Sequence, residues 1–222
     1  MQEPDDDVLI DVEDNEPLGP RARRITGEVA AVPGLTGFER AVILALRLHE
    51  HQQRKGTDIP YAAHLLTVAG LVLEDGGTET QAIAALLHDA AEDQGGMAAL
   101  EAIRSLFGDG VAAIVESCTD TFEHPKPPWK ERKTRYLERL QTEPLESLEV
   151  SLADKVHNAG AIVRDLETHG RAVWKRFNVG AGDQLWYYRS LADVFWARHP
   201  SPRAAELRRL VDRMEQLGAA QP

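Results

Sequence analysis

From residue 36 onward the apolar residues return every three or four positions, and the alternating apolar–polar stretches of a strand are nearly absent. That period puts apolar side chains on one face of a helix, and a chain that keeps it almost throughout must bury those faces by packing helix on helix. The expected fold class is therefore all-α, a single helical bundle. Val42, Leu44, Ala45 and Leu48 set the pattern in a first helix over about 37–53. Further helices are expected over about 61–75, 79–93, 97–107, 109–120, 129–141, 145–168, 182–197 and 202–217. Gly76-Gly77 closes one of them, Thr78 is placed to N-cap the next, and Pro125, Pro127 and Pro128 mark the one conspicuous internal loop.

The first 35 residues read differently. Residues 1–16 carry eight acids and no base, followed by a small basic patch, Arg21, Arg23 and Arg24, and by Pro33-Gly34. A like-charge block cannot bury enough apolar surface to offset its ordering entropy, so residues 1–35 are expected to form a disordered acidic tail. Residues 36–222 then make one domain, as a chain of 222 residues allows. The tail accounts for most of the formal charge of −11. A chain this acidic is not built for duplex nucleic acid. No apolar run approaches the ~20 residues of a membrane span, and the N-terminus lacks the basic-then-apolar pattern of a secretory signal. With Cys118 as the sole cysteine there is no internal disulfide and no thiolate cage, and the expected setting is the reducing cytoplasm. A homo-oligomer is left open.

Chemistry-bearing residues interrupt the apolar stretches at a few places. His64 lies among Ala62, Ala63, Leu65 and Leu66; His88-Asp89 closes the run Ile83-Ala84-Ala85-Leu86-Leu87; Asp154 follows Val150, Leu152 and Ala153. An ionised carboxylate on an apolar helix face is costly unless a partner or a metal neutralises it. Two imidazoles and two carboxylates suit a divalent ion such as Mn²⁺, Fe²⁺ or Zn²⁺, with positions left open for water. Each residue also has a plainer explanation. His64 alone is more often a satisfied core histidine, and Asp154 could be a buried ion pair with Lys155. Glu92 and Asp93 lie four residues after His88 and Asp89, so a continuous helix would project them from nearly the same face. Carboxylates beside a metal can move the proton of a reacting water; the competing explanation is a solvated helix end. Arg54 and Lys55 are placed to meet an anion. Asn158 shares a helix face with Asp154, and Trp186-Tyr187-Tyr188 offers either a stacking surface or ordinary core.

The order His64, His88-Asp89, Asp154 resembles the HD-domain metal-dependent phosphohydrolases. The longer words are more specific: Gln52-Gln53-Arg54-Lys55 before Pro60-Tyr61-Ala62-Ala63-His64, Ala85 to Asp93, Leu106-Phe107-Gly108, and Leu152 to Asn158. Over about residues 37–197 they are similar to the hydrolase domain of RelA/SpoT homologues, and especially to the stand-alone small alarmone hydrolases. The resemblance implies an all-α HD fold and Mn²⁺-dependent removal of the 3′-pyrophosphate from guanosine tetra- or pentaphosphate, with Fe²⁺, Zn²⁺ or Mg²⁺ as other candidate ions. It implies His64, His88, Asp89 and Asp154 as metal ligands and Glu92 and Asp93 as the acids that activate water. It further implies Arg54, Lys55, Asn158 and Tyr187 as substrate contacts. Departures from the pattern are a longer loop over Lys55 to Pro60 without the usual serine, Leu65 in place of proline, His51 in place of glycine, and Gln94 in place of threonine. They leave the metal set intact and fall mostly where a nucleotide would be read. The other readings are a (p)ppApp-type substrate, a broader nucleotide phosphomonoesterase, and a catalytically silent nucleotide-binding module.

Overall fold

A computed structural model describes residues 17–123 and 125–219. These residues are helical almost throughout, with no strand among them beyond an isolated bridge between Gln53 and Pro60. The expected all-α class is what the chain adopts. It divides into two compact units, one running up to Lys126 and the other from Pro127 onward.

The first unit holds α1 (Leu18–Ala30), α2 (Gly37–Leu48), α3 (Ala62–Glu74), α4 (Glu79–Leu87), α5 (Ala90–Asp93), α6 (Gly96–Phe107) and α7 (Asp109–Cys118). Its centre is α4, where every residue from Gln81 to Leu87 is buried. A helix apolar on all sides is stable only when surrounded, and α2, α3 and α7 pack around this one. Thr78 caps α4 as the sequence predicts, in a full capping box with Gln81; Thr36 and Glu39 form the same device at α2.

Two expectations are corrected here. Residues 18–30 are not part of a disordered tail. They form α1, which packs on α6 and α2 through Ala22, Ile25 and Val29. Its apolar stripe is short, but Arg21, which reads as surface charge, is buried and satisfied by backbone carbonyls. The acidic block, residues 1–16, lies outside the described residues. The second correction concerns the expected helix over 79–93, which is interrupted at His88-Asp89. The His88 ring bonds the Ala85 carbonyl at 2.7 Å, competing for an acceptor of the helical ladder, and Asp89 sits at φ −93°, ψ −5°. A short α5 follows, so His88, Asp89, Glu92 and Asp93 stand on a kink rather than on one continuous helical face.

The second unit comprises α8 (Trp129–Leu140), α9 (Leu145–His169), a 3₁₀ segment (Gly170–Arg176), α10 (Ala181–Arg198) and α11 (Pro202–Ala219). The 25-residue α9 lies along α11, and α10 packs on both α11 and α8. Leu191, Phe195, Leu207, Val211 and Met214 form part of its core and are fully excluded from solvent. No helix of the described residues is long and apolar enough to cross a membrane.

Candidate metal centre and its acidic flank

In the first unit α3 presents His64 near its N-terminus, and the kink after α4 presents His88 and Asp89. Their donor atoms converge. The two Nε2 atoms are 3.2 Å apart, and Asp89 Oδ2 lies 2.9 Å from His88 Nε2 and 3.4 Å from His64 Nε2. Both imidazoles are about 1% exposed. The Ala85 carbonyl can only accept, so His88 carries a proton on Nδ1 and turns its Nε2 toward the carboxylate. A lone pair facing a carboxylate across 2.9 Å is repulsive unless something positive lies between them. A proton can serve; so can a metal ion, whose ligand atoms at ~2.1 Å sit about 3 Å from one another at right angles. An Nδ1–H donated to a backbone carbonyl is also how metal-bound histidines are oriented. These residues therefore fit a divalent ion.

Asp89 is tuned for that charge. Burial alone would raise its pKa, but His88 and His64 outweigh it and hold the carboxyl well below the usual range. Tyr61 adds a hydroxyl that donates to Asp89 Oδ2 at 2.6 Å. Burial and the neighbouring Asp89 push this phenol well above its ordinary pKa, which keeps it a donor.

The acids beside the pair have opposite surroundings. Asp93 is buried, and burial together with Asp89 and Glu92 raises it well above a normal aspartate despite the Gln52 amide donated to its Oδ2 at 2.9 Å. Glu92 accepts from the Asp120 backbone N–H at 3.1 Å and from Lys126 Nζ at 3.3 Å. Both partners come from the loop between α7 and α8. Arg54 and Lys55 are half-buried on the loop after α2, with the Arg54 guanidinium 5.7 Å from the Tyr61 ring centre. That loop is closed by the Gln53–Pro60 bridge and by Arg54 N–H donating to Ile59 O at 2.8 Å.

Asp154 lies in the second unit, buried on α9. The ion pair weighed for it from sequence is formed: Lys155 Nζ donates to Oδ2 at 2.6 Å, and Asn158 Nδ2 donates to Oδ1 at the same distance. Although burial opposes it, Asp154 and the neighbouring Tyr136 and Tyr187 raise the Lys155 pKa well above its usual value. Tyr187 is buried on α10 within an aromatic cluster, 5.8 Å from Trp129 and 5.9 Å from Tyr188 between ring centres. Trp186 is covered by Lys130, whose Nζ is 3.1 Å from the ring centre. His64, His88, Asp89, Glu92 and Asp93 are thus brought together within one unit, with Arg54 and Lys55 on a loop of that unit.

The sequence reading missed three participants. Tyr61 and Gln52 stand in the quoted words, but only the fold shows that they donate to Asp89 and Asp93. Lys126 had no signal beyond its place between Pro125 and Pro127.

An all-helical chain that aims two buried imidazoles and a carboxylate at one point, with a histidine–aspartate doublet at the kink, falls in the class of helical metal-centre proteins. The family model for the HD domain matches residues 41–180, and the chain belongs to that family. It is 34% identical over 122 residues to a probable guanosine-3′,5′-bis(diphosphate) 3′-pyrophosphohydrolase of Synechocystis sp., covering 54% of this chain but 16% of that protein. Over 128 residues it is 35% identical to the guanosine-3′,5′-bis(diphosphate) 3′-pyrophosphohydrolase MESH1 of Danio rerio, covering 56% of this chain and 66% of that one. Among solved structures, lmo0812 of Listeria monocytogenes EGD-e superposes with a TM-score of 0.61 at 33% identity, over 71% of this chain and 96% of that one. The chain spans about a sixth of the length of the first curated relatives it matches.

Proposed function

We propose that this chain is a cytoplasmic, Mn²⁺-dependent hydrolase that removes the 3′-pyrophosphate from guanosine tetra- or pentaphosphate, releasing GDP or GTP and pyrophosphate. The observation that carries the reading is the convergence of His64, His88 and Asp89, with Glu92 and Asp93 following within four residues. The activity named for MESH1 and for the Synechocystis relative supports the choice of substrate.

His64, His88 and Asp89 would hold the ion, with Asp154 as the fourth ligand implied by the order of the motifs. A bound divalent ion supplies Lewis acidity, drawing the pKa of water from ~15.7 toward neutrality. The remaining work falls to this chain. The water oxygen forms a bond to the phosphorus carried on O3′, the P–O3′ bond breaks, and O3′ leaves with a proton. Asp93, whose surroundings make its carboxylate the more basic of the acids here, enters the step ionised, takes the proton that water loses and delivers it to O3′. Glu92, fixed by Lys126 and the Asp120 amide, orients the water. Arg54 and Lys55 offset phosphate charge, Asn158 orients Asp154 and the ribose, and Tyr187 lies at the base.

The test is product analysis on Mn²⁺-loaded protein against ppGpp, pppGpp, ppApp and ordinary nucleoside phosphates, with a metal-stripped control. Metal-dependent pyrophosphate release from the guanine alarmones is the expected result. Preference for ppApp would move the base assignment. Orthophosphate from ordinary nucleotides would move the protein to a phosphomonoesterase, and binding without turnover would make it a binding module.

A further inference from the structure

A chain of buried hydrogen bonds runs from α1, which lies outside the matched family segment, to Asp93. Arg21 on α1 is 6% exposed, and its guanidinium donates to Leu48 O at 3.0 Å, to Arg47 O at 3.2 Å and to Gln94 Oε1 at 3.3 Å. Gln94 Nε2 donates to Gln52 Oε1 at 2.8 Å, and Gln52 Nε2 donates to Asp93 Oδ2 at 2.9 Å. The chain has one direction because a guanidinium has no acceptor. Arg21 forces Gln94 to turn its oxygen toward it, so the Gln94 amide N–H must face Gln52. Gln52 must then offer its own oxygen to Gln94 and its amide N–H to Asp93. His49 obeys the same order: its Nδ1 is 2.6 Å from Gln52 Oε1, which only accepts, so the proton sits on Nδ1.

Independent packing holds the origin of this chain in place. At Gly95, next to Gln94, φ is +137°, and an added Cβ would lie 2.9 Å from the Gly19 Cα of α1. A Cβ on Gly19 would in turn meet the Ala98 Cβ at 3.1 Å. The α1 backbone therefore rests on the turn that carries Gln94. Arg21 is suited to its place by charge, because the carbonyls of Arg47 and Leu48 end α2 and form the negative pole of that helix. Gln94 is also one of the departures from the alarmone-hydrolase pattern. With a threonine there, too short to span from Arg21 to Gln52, this route would not form.

We infer that Arg21 and Gln94 are positioning residues for Asp93: through Gln52 they fix which oxygen of Asp93 is engaged and how the carboxyl is turned. This makes α1 a part of the active unit, and it rests on the reading of Asp93 as the proton-handling acid.

The variants are Arg21→Met, Gln94→Met and the double variant, with Ile25→Ala as a control that loosens α1 without touching the chain. Arg21→Met and Gln94→Met are expected to lower kcat about tenfold or more while KM stays near the wild-type value. The double variant should lose no more than the larger single loss, as members of one chain do. Gln94→Glu keeps the Arg21 contact but cannot donate to Gln52, and is expected to show the same kcat loss with Tm retained. Ile25→Ala should lower Tm with kcat unchanged. A wild-type kcat in Arg21→Met and Gln94→Met, or losses that follow Tm as in Ile25→Ala, would overturn the inference. A wild type with no turnover of any nucleotide defeats the functional reading instead. The hydrogen-bond chain is then judged by the ¹⁵N side-chain amide resonances of Gln52. A shift and loss of exchange protection in Arg21→Met support it, and unchanged resonances overturn it.

Discussion

Asp89 and Asp93 are one helical turn apart, and the fold gives them opposite electrostatic surroundings. At Asp89 burial opposes the anion but two imidazoles outweigh it; at Asp93 burial, together with Asp89 and Glu92, favours the proton. Replacing Asp89 by alanine is therefore expected to abolish both metal retention and hydrolysis, checked by metal analysis after desalting alongside the pyrophosphate assay. Glu92→Gln should keep the ion and lose about a hundredfold in single-turnover rate, because it weakens the acceptor that orients the water and removes no ligand. His49 bears on stability. It is 2% exposed, and burial lowers it to about 4, with Gln52 and Asp89 opposing that shift. A base held below its unfolded pKa contributes stability that is complete above about pH 6.5 and is lost as pH falls toward 4. From pH 7 to pH 5 the wild type is expected to lose roughly 2 kcal/mol from this group, and urea unfolding of His49→Gln should show a correspondingly flatter acid limb. At this scale the sequence pointed to the convergent group where a titratable side chain interrupts an apolar run, as at His64 and His88-Asp89; at Asp154 the same signal led to the ion pair with Lys155. Tyr61, Gln52, Lys126 and Arg21 were not legible, because their roles depend on which segment folds against which.

Elements were predictable where one face is plainly apolar and the ends carry caps, as in α4 with its Thr78–Gln81 box. They were missed where polar atoms do the packing. In α1 the buried set Arg21, Ala22, Ile25, Thr26 and Val29 includes a cation and a hydroxyl, so its period is faint and the preceding acids suggest a tail. The break at His88-Asp89 was hidden for a related reason, since nothing in the run of alanines and leucines announces that a histidine ring will take the Ala85 carbonyl. How firmly α1 is seated can be measured at Gly95. An alanine there meets both an unfavourable φ and the Gly19 backbone, whereas Gly96, at φ +58°, has open space for a Cβ. Gly95→Ala is expected to cost about 2 kcal/mol or more and Gly96→Ala about 1 kcal/mol, by denaturant unfolding. Equal losses would mean that α1 does not lean on this turn.

The molecule as a whole buries titratable side chains in each of its two units: His64, His88 and Asp93 in the first, beside the part-buried Asp89, and Asp154 paired with Lys155 in the second. Each unit has its own apolar core, so these side chains are not what makes either unit fold. Buried charge costs desolvation, and at Asp154 the structure offsets that locally through Lys155 and Asn158. A ligand that binds the native chain and not the unfolded one adds stability by mass action, about 3 kcal/mol at a hundredfold excess over Kd. Mn²⁺ is accordingly expected to raise Tm in thermal unfolding, and a chelator to reverse the shift. The variants then separate the two units' contributions. Asp89→Ala should abolish the Mn²⁺ shift through the first unit. With Asp154 as the proposed fourth ligand, Asp154→Ala is expected to abolish the shift as well. An undiminished shift in Asp154→Ala would remove that residue from the metal set and leave His64, His88 and Asp89 as the protein's donors.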